Sequence, residues 1–206
     1  MSDATGSSGE PNRADAAAPP PRSLLFRLRF VIPVLVFAAL AIIFAFQLGR
    51  QDDEHSRDLP SALLDRPMPD FALQALPGWS VGLTDEDIRA AGISMVNVFA
   101  SWCGPCRVEH PIWVEYAKQP DAVPVFGLNY KDAPENATDW LKKLGDPYKQ
   151  IGADQDGRAG IEWGVYGVPE TFVIDKEGRI VLKHVGVMTR EDLDKKILPL
   201  IAKLKG

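Results

Sequence analysis

The feature that most constrains this chain is an apolar run that leads without a break into two closely spaced cysteines. Residues 93–100 read ISMVNVFA, and the next six read SWCGPC. Because β-branched and aromatic residues dominate the run, we predict a buried central strand. A helix is predicted over residues 104–118, which places Cys103 at its N-terminus. The cysteines are therefore expected where a strand turns directly into a helix.

The rest of the C-terminal part alternates between strand-like and helical patterns, which is typical of an α/β domain. The further predicted strands cover residues 123–130, 171–175 and 179–185. The turn KEG between the last two suits a hairpin. The further predicted helices cover residues 135–144 and a C-terminal stretch that opens at Thr189, with a short segment near residues 148–153.

Cys103 and Cys106 are the only cysteines of the chain, too few and too close together for a disulfide framework. At a helix N-terminus, unpaired amide groups and the helix dipole favour a thiolate, the attacking species. Cys103 can then attack a disulfide, and Cys106, one turn further along, can resolve the mixed disulfide. Pro105 is tolerated because it lies in the first helical turn.

Other uses of the cysteine pair stay open. A structural zinc site needs two more ligands from among His55, His110 and His184, and no second C-x-x-C is present. Covalent haem attachment needs a histidine where Arg107 stands. An inert buried pair is the third alternative. The Trp, Gly and Pro residues around the cysteines favour redox chemistry instead.

A second apolar run lies near the N-terminus. Residues 30–48 read FVIPVLVFAALAIIFAFQL, and 19 residues at ~1.5 Å each cover about 28 Å, close to the thickness of a bilayer core. We predict a transmembrane anchor over residues 30–49. A cleaved signal peptide and a buried core helix are the alternatives, but the run is long for the first and lacks the polar face of the second.

The anchor divides the chain into four parts. Residues 1–29 are predicted to be a disordered cytoplasmic tail, 50–67 a polar linker, and 68–206 the folded domain. Arginines precede the span and an acidic stretch follows it, so the positive-inside bias places the domain outside the cytoplasm.

The net charge of the chain is −5, so the protein has no basic field that could attract phosphates. Nucleic acid is therefore not expected as a partner.

Three stretches resemble the thioredoxin-like DsbE/CcmG family of cytochrome c maturation. They read NVFASWCGPCRVEHP, GLNYKD and GVYGVPETFVIDKEGRI, and the resemblance covers residues 68–204. It implies a thioredoxin fold, in which helices flank a central mixed sheet. It also implies a single-pass protein of the bacterial inner membrane, with a periplasmic domain and no cofactor or metal besides the cysteine pair.

The family resemblance also implies partners. The client would be apocytochrome c, whose C-x-x-C-H cysteines must be reduced, or a protein of cytochrome c maturation. Electrons would come from a membrane carrier of the DsbD/CcdA type. A general periplasmic reductase of the TlpA/ResA type remains the nearest alternative, and a non-enzymatic scaffold or haem-handling module is an alternative of another class. Gly-Pro between the cysteines favours a reducing protein over an oxidising one.

Site residues follow from the same resemblance. Cys103 matches the exposed nucleophile, Cys106 the resolving cysteine and Pro169 the cis-proline beside them, with Val168 presenting its backbone to an extended substrate. Pro169 could otherwise be an ordinary proline at the start of a strand. Trp102 is expected to pack beside Cys103 in a position to touch the substrate, although a purely structural tryptophan is the alternative.

Two acidic residues distinguish the chain from a plain thioredoxin. Glu109 and Glu170 match acidic positions of the family, and near the thiols they would disfavour a thiolate on Cys103 and could carry protons. The alternative for both is a solvated surface carboxylate, since exposed charges are the rule for this residue type.

Overall fold

A computed structural model describes residues 24–49 and 64–206, with side chains in the first stretch described from 31 to 45. Residues 1–23 of the predicted tail and most of the predicted linker lie outside the described residues, whereas residues 24–29, predicted to be disordered, are helical. The chain divides into two compact units, residues 1–52 and 53–206.

In the described part of the first unit lies the helix α1 (Leu24–Gly49), with Pro33 inside it. Its side chains from residue 31 to residue 45 are all exposed. In the described parts of the chain, no helix has both the length and the apolar character that crossing a membrane requires. The predicted transmembrane anchor, part of whose side chains lie outside the described residues, is therefore not confirmed.

A six-stranded mixed sheet organises the second unit, in the order β1-β8-β7-β4-β5-β6. Its strands are β1 (Arg66–Pro67), β4 (Ser94–Phe99), β5 (Val125–Tyr130), β6 (Ile151–Asp154), β7 (Glu170–Ile174) and β8 (Arg179–Val185). The pairs β4/β5 and β5/β6 are parallel, whereas β1/β8, β8/β7 and β7/β4 are antiparallel. Two short strands, β2 (Ala72–Leu73) and β3 (Leu83–Thr84), form a separate antiparallel pair.

Strand β4 lies in the interior of the sheet and is covered on both faces. All six of its residues are buried, and its apolar side chains alternate between two core clusters, as the two-residue period of a strand requires. Met95 and Phe99 belong to the cluster that contains the cysteines. Val96 and Val98 belong to the cluster around Trp163 and Phe172. The continuous apolar run therefore reflects burial on both sides.

The helices of this unit surround the sheet. They are α2 (Asp85–Ala91), α3 (Gly104–Tyr116), α4 (Pro134–Leu144), α5 (Arg158–Glu162), α6 (Arg190–Asp192) and α7 (Leu198–Lys205). A π-helical turn, Leu193–Ile197, joins α6 to α7. It interrupts what was predicted to be one C-terminal helix, although that helix opens at Thr189 as expected, with the Thr189 side chain accepting from the backbone N–H of Asp192.

Several boundaries differ from those predicted. Arg66 and Pro67, placed in the linker, pair with Ile180 and Arg179 of β8, so the sheet begins before the predicted domain boundary. The elements β2, β3, α2 and α5 were not predicted at all. They are two to seven residues long, too short to produce a clear hydrophobic period.

Candidate active site

The two cysteines lie at the junction of β4 and α3. Cys103 is the N-cap of α3, and its Sγ accepts the backbone N–H of Cys106 at 3.0 Å. The two residues form a disulfide, with Cα atoms 5.3 Å apart. The predicted placement at a helix N-terminus is therefore observed, and after reduction the same N–H faces the sulfur that must carry negative charge.

The expected exposure of Cys103 is not found. In the disulfide form Cys103 is 3% exposed and Cys106 1% exposed, and both belong to the apolar cluster that contains Phe99 and Met188. The disulfide ties the sulfur of Cys103 to the helix and leaves its polarity low, so it packs as a small apolar group. The resemblance to an exposed nucleophile thus does not hold for the oxidised protein.

The cis-proline that the family resemblance implied is present. The Val168–Pro169 peptide bond is cis, and the proline oxygen accepts the backbone N–H of Gly186 at 2.9 Å. Glu170, the next residue, pairs with Val98 of β4. Because β4 leads into the cysteine turn, this pairing places the proline loop at the same end of the sheet as Cys103. Val168 is half-buried and packs against both core clusters.

Glu109 is buried beneath the site, at 1% exposure, so the surface-carboxylate alternative is wrong. Its Oε1 accepts from Asn97 Nδ2 at 2.8 Å and Trp113 Nε1 at 3.0 Å, and its Oε2 accepts the Met188 N–H at 2.7 Å. Burial raises the pKa of Glu109 to about 7 and outweighs these hydrogen bonds, which lower it. A group with this pKa can hold or release a proton near neutral pH.

Glu170 is also fully buried, which excludes the surface alternative for it too. Oε1 accepts the backbone N–H of Tyr166 at 2.9 Å. Lys183 Nζ lies 3.1 Å from Oε2, although without the alignment of a hydrogen bond. Burial raises the pKa of Glu170, against the opposing effect of the Tyr166 N–H and the Lys183 charge.

Trp102, which was expected to pack beside Cys103, is 60% exposed. Its Nε1 donates to the backbone oxygen of Lys131 at 3.0 Å. In the same loop, Asp132 accepts from the N–H of Ser101 at 2.6 Å, from its hydroxyl at 2.8 Å, and from Asn129 Nδ2 at 3.0 Å. The GLNYKD motif therefore braces the turn that carries the cysteines.

Three residues of this neighbourhood were missed from the sequence, namely Asn97, Tyr148 and Lys183, and the bracing role of Asp132 was not predicted. Asn97 is a polar residue in a largely apolar strand, which is a detectable signal, and its Oδ1 accepts the Tyr148 hydroxyl at 2.7 Å. Asp132 was part of a motif already singled out. Nothing in the pattern around Lys183 marks it as buried, since exposure is the rule for lysine.

The zinc alternative gains no support from the described residues. His110 is buried against Trp140, with Nε2 2.9 Å from the Gly145 oxygen and a pKa lowered chiefly by burial. His184 lies on β8, and His55 lies outside the described residues. Across residues 24–49 and 64–206, no three Cys, His, Asp or Glu side chains are grouped to hold a metal.

The domain has a mixed sheet, a disulfide-forming cysteine pair at a helix N-terminus and a cis-proline at the same end of the sheet as the cysteines. These features define a thiol-disulfide oxidoreductase of the thioredoxin fold.

The Redoxin family matches residues 64–197. The chain is 41% identical over 178 residues to the DsbE homologue of Paracoccus denitrificans, a thiol:disulfide interchange protein, covering 86% of this chain and 96% of the relative.

Other similar proteins are also thiol:disulfide interchange proteins. The thiol:disulfide interchange protein HelX of Rhodobacter capsulatus is 42% identical, covering 83% of this chain and 94% of the relative. DsbE of Escherichia coli is 37% identical, with 82% and 91% covered. A crystal structure of a thiol:disulfide interchange protein DsbE from Chlorobium tepidum superposes with a TM-score of 0.56 at 27% identity, over 68% of this chain and 96% of that one.

The chain belongs to the DsbE/CcmG family of thiol-disulfide oxidoreductases.

Proposed function

We propose that this protein is a periplasmic reductant whose client is the oxidised C-x-x-C-H pair of apocytochrome c or a protein of cytochrome c maturation. The observation that carries the proposal is the Cys103–Cys106 pair at the N-terminus of α3 beside the cis Val168–Pro169 bond, in a chain of the DsbE family. Gly-Pro between the cysteines supports the reducing direction.

The chemistry is a two-step exchange. The Cys103 thiolate attacks one sulfur of the client disulfide, forming a mixed disulfide and releasing the other client sulfur as a thiolate. The Cys106 thiolate then attacks the sulfur of Cys103 and releases the second client sulfur. Two electrons pass to the client, which ends as a dithiol, and the protein ends with the Cys103–Cys106 disulfide of this structure.

Glu109 supplies an acid–base group to this exchange. It lies three residues after Cys106 on the same helix, and its pKa of about 7 lets it change protonation at working pH. As a carboxylate it opposes negative charge on the neighbouring sulfurs, and as a carboxylic acid it does not. Glu170, whose pKa burial also raises, adds to this effect from the proline side.

Val168 contributes through its backbone. It directly precedes Pro169 at the edge of the site, where an extended client segment can pair with main-chain groups. Trp102, exposed beside Cys103, offers the client an aromatic surface.

Membrane tethering and the electron supply belong to the same proposal. The apolar helix α1, with every described side chain exposed, would be the anchor in the inner membrane, with the domain in the periplasm. A membrane carrier of the DsbD/CcdA type would reduce the disulfide again. Added protease should digest the domain in spheroplasts with an intact inner membrane. Protection until lysis would contradict the periplasmic location.

The direction of the reaction is tested by the reduction potential of the full chain in detergent, equilibrated in dithiothreitol or glutathione buffers with trapping of free thiols. A value well below about −200 mV supports a reductant, whereas a value near about −120 mV, the potential of a strong oxidant, would show that the protein inserts disulfides.

The identity of the client is tested by comparing two substrates of this protein. A peptide containing an oxidised C-x-x-C-H pair should be reduced faster than insulin. Rapid turnover of insulin instead would favour the general reductase of the TlpA/ResA type. Full cytochrome c assembly by a Cys103→Ser variant would show that the protein acts as a scaffold and not through redox chemistry.

A further inference from the structure

Lys183 is a buried cation that takes no direct part in the exchange chemistry. Its side chain is 1% exposed, and burying an ammonium group is unfavourable unless every proton finds a partner. Nζ donates to the backbone oxygen of Gly164 at 2.6 Å, lies 3.1 Å from Glu170 Oε2, and lies 3.9 Å from the centre of the Tyr166 ring. Three electron-rich groups thus lie around the ammonium group.

All three partners lie within residues 164–170, the segment that carries the cis-proline and ends at the first residue of β7. Gly164, with a φ of +61°, stands at one end of the loop and Glu170 at the other. Tyr166 lies between them, and its backbone N–H also binds Glu170. Lys183 itself projects from β8, where it pairs with Phe172 of β7. The lysine therefore ties both ends and the middle of this loop to the sheet.

Tyr166 is the residue that this arrangement presents to solvent. It is 70% exposed, although its ring rests on a buried charge. An exposed aromatic ring with a fixed position loses little entropy on binding, and such rings are strong contacts for polypeptide partners. Pro169 follows three residues later, so the ring lies on the loop that borders the cysteines.

We propose that Tyr166 is a specificity-determining contact for the polypeptide client and that Lys183 is a positioning residue that holds the Tyr166 ring in place. The exchange chemistry does not change. A client segment long enough to extend past the cis-proline gains the ring as a contact, whereas a small disulfide does not reach it. The proposal rests on the thiol-disulfide exchange itself and not on which polypeptide is the natural client.

The test compares two disulfides with the full chain in detergent. One is a short peptide with an oxidised C-x-x-C-H pair, and the other is 2-hydroxyethyl disulfide. We expect Tyr166→Ala and Lys183→Met each to lower kcat/KM for the peptide about tenfold, mainly through KM. For Tyr166→Ala, exchange with the small disulfide should stay within about twofold of the unaltered protein. Tyr166→Phe, which keeps the ring, should behave like the unaltered protein.

A double variant separates positioning from independent effects. If Lys183 acts through Tyr166, Lys183→Met should add nothing in a Tyr166→Ala background. The matched control is Lys195→Met, the same substitution at an exposed lysine, which should change neither reaction. Additive losses in the double variant, an equal loss on both disulfides, or full peptide activity of Tyr166→Ala would each overturn the proposal.

The test does not depend on Lys183→Met being folded. Tyr166→Leu keeps an apolar side chain at an exposed position but offers Lys183 no ring face. It should be as slow with the peptide as Tyr166→Ala, and full activity would overturn the positioning role. If the unaltered protein itself reduces the peptide slowly, the proposed client is wrong, and the same comparison is made with insulin.

Discussion

Asn97 Nδ2 lies 2.8 Å from Oε1 of Glu109, so a polar side chain of the central strand supports a buried carboxyl group on the helix that carries the cysteines. The same Nδ2 lies 3.3 Å from Thr171 Oγ1, and Asn97 Oδ1 accepts the Tyr148 hydroxyl. One asparagine thus connects β4, β7, α3 and the segment before β6. Because all of these groups are buried, losing any one leaves polar atoms without partners.

The pH dependence of stability should reveal Glu109. The folded protein holds the Glu109 proton up to about pH 7, and an ordinary glutamate loses it near 4.5. Between these values the folded state binds more protons than the unfolded state, so raising the pH lowers the free energy of unfolding. Over this pH range, Glu109 should lower the free energy of unfolding by about 3 kcal/mol. Urea unfolding of the oxidised protein from pH 5 to pH 8 measures it.

Glu109→Gln cannot ionise and should lose that part of the pH dependence. Glu170 contributes a slope of the same sign, because its pKa is also raised, so the informative quantity is the difference between the variant and the unaltered protein. Glu115→Gln, an exposed glutamate on the same helix, serves as the control. Identical pH profiles for Glu109→Gln and the unaltered protein would show that Glu109 is ionised in the folded state at pH 5.

Removing the connecting asparagine should be costly. Asn97→Ala takes a donor from Glu109 and leaves the Tyr148 hydroxyl unpartnered, so we expect the free energy of unfolding to fall by about 2–4 kcal/mol. The pKa of Glu109 should rise further, which moves the loss of stability to higher pH. Tyr148→Phe removes only one hydroxyl and should cost about 1 kcal/mol. Equal effects of the two variants would contradict the central role of Asn97.

Asp132 should control the order of the cysteine turn. It accepts both the N–H and the hydroxyl of Ser101, two residues before Cys103. Asp132→Ala should lower stability by about 1–3 kcal/mol and slow exchange with small disulfides as well as with peptides. Because the loss of rate affects both kinds of disulfide, Asp132→Ala differs from Tyr166→Ala, which should slow only the peptide reaction. Stopped-flow measurements of the two exchange rates test this prediction, and a loss confined to the peptide would contradict a bracing role for Asp132.

Serine substitutions of the two cysteines should differ in whether a mixed disulfide with the client accumulates. Cys106→Ser keeps the nucleophile but cannot resolve the mixed disulfide, so incubation with an oxidised peptide should yield a covalent complex detectable by mass spectrometry. Cys103→Ser should form none and should lose exchange activity by on the order of a thousandfold or more. A stable complex on Cys103→Ser would mean that the roles of the cysteines are reversed.

The buried pair of Lys183 and Glu170 should show strong coupling in stability. Lys183→Met leaves the buried Glu170 carboxyl group without its cation and should lower the free energy of unfolding by about 3–5 kcal/mol. The double variant with Lys183→Met and Glu170→Gln should lose less than the sum of the two single variants. Thermal or urea unfolding of the unaltered protein, the two single variants and the double variant measures the coupling. Simple additivity would show that the two side chains do not interact in the folded state.

The sequence by itself determined the central strand, the helix that follows it and the placement of the cysteines between them. These features depend on contiguous residues: a long apolar run, a C-x-x-C and a proline in the first helical turn. The hairpin of β7 and β8 was equally local, and the resemblance to the DsbE/CcmG family was confirmed by relatives that cover most of the chain.

Only the tertiary structure decided which polar groups are buried. Glu109, Glu170 and Lys183 are residue types that normally lie at the surface, and each is buried because partners from distant segments satisfy it: Met188 is 79 residues from Glu109, and Lys183 reaches back to Gly164 from the next strand but one. The burial of Cys103 in the disulfide is likewise set by packing. Such contacts join residues far apart in the chain, and no local pattern records them.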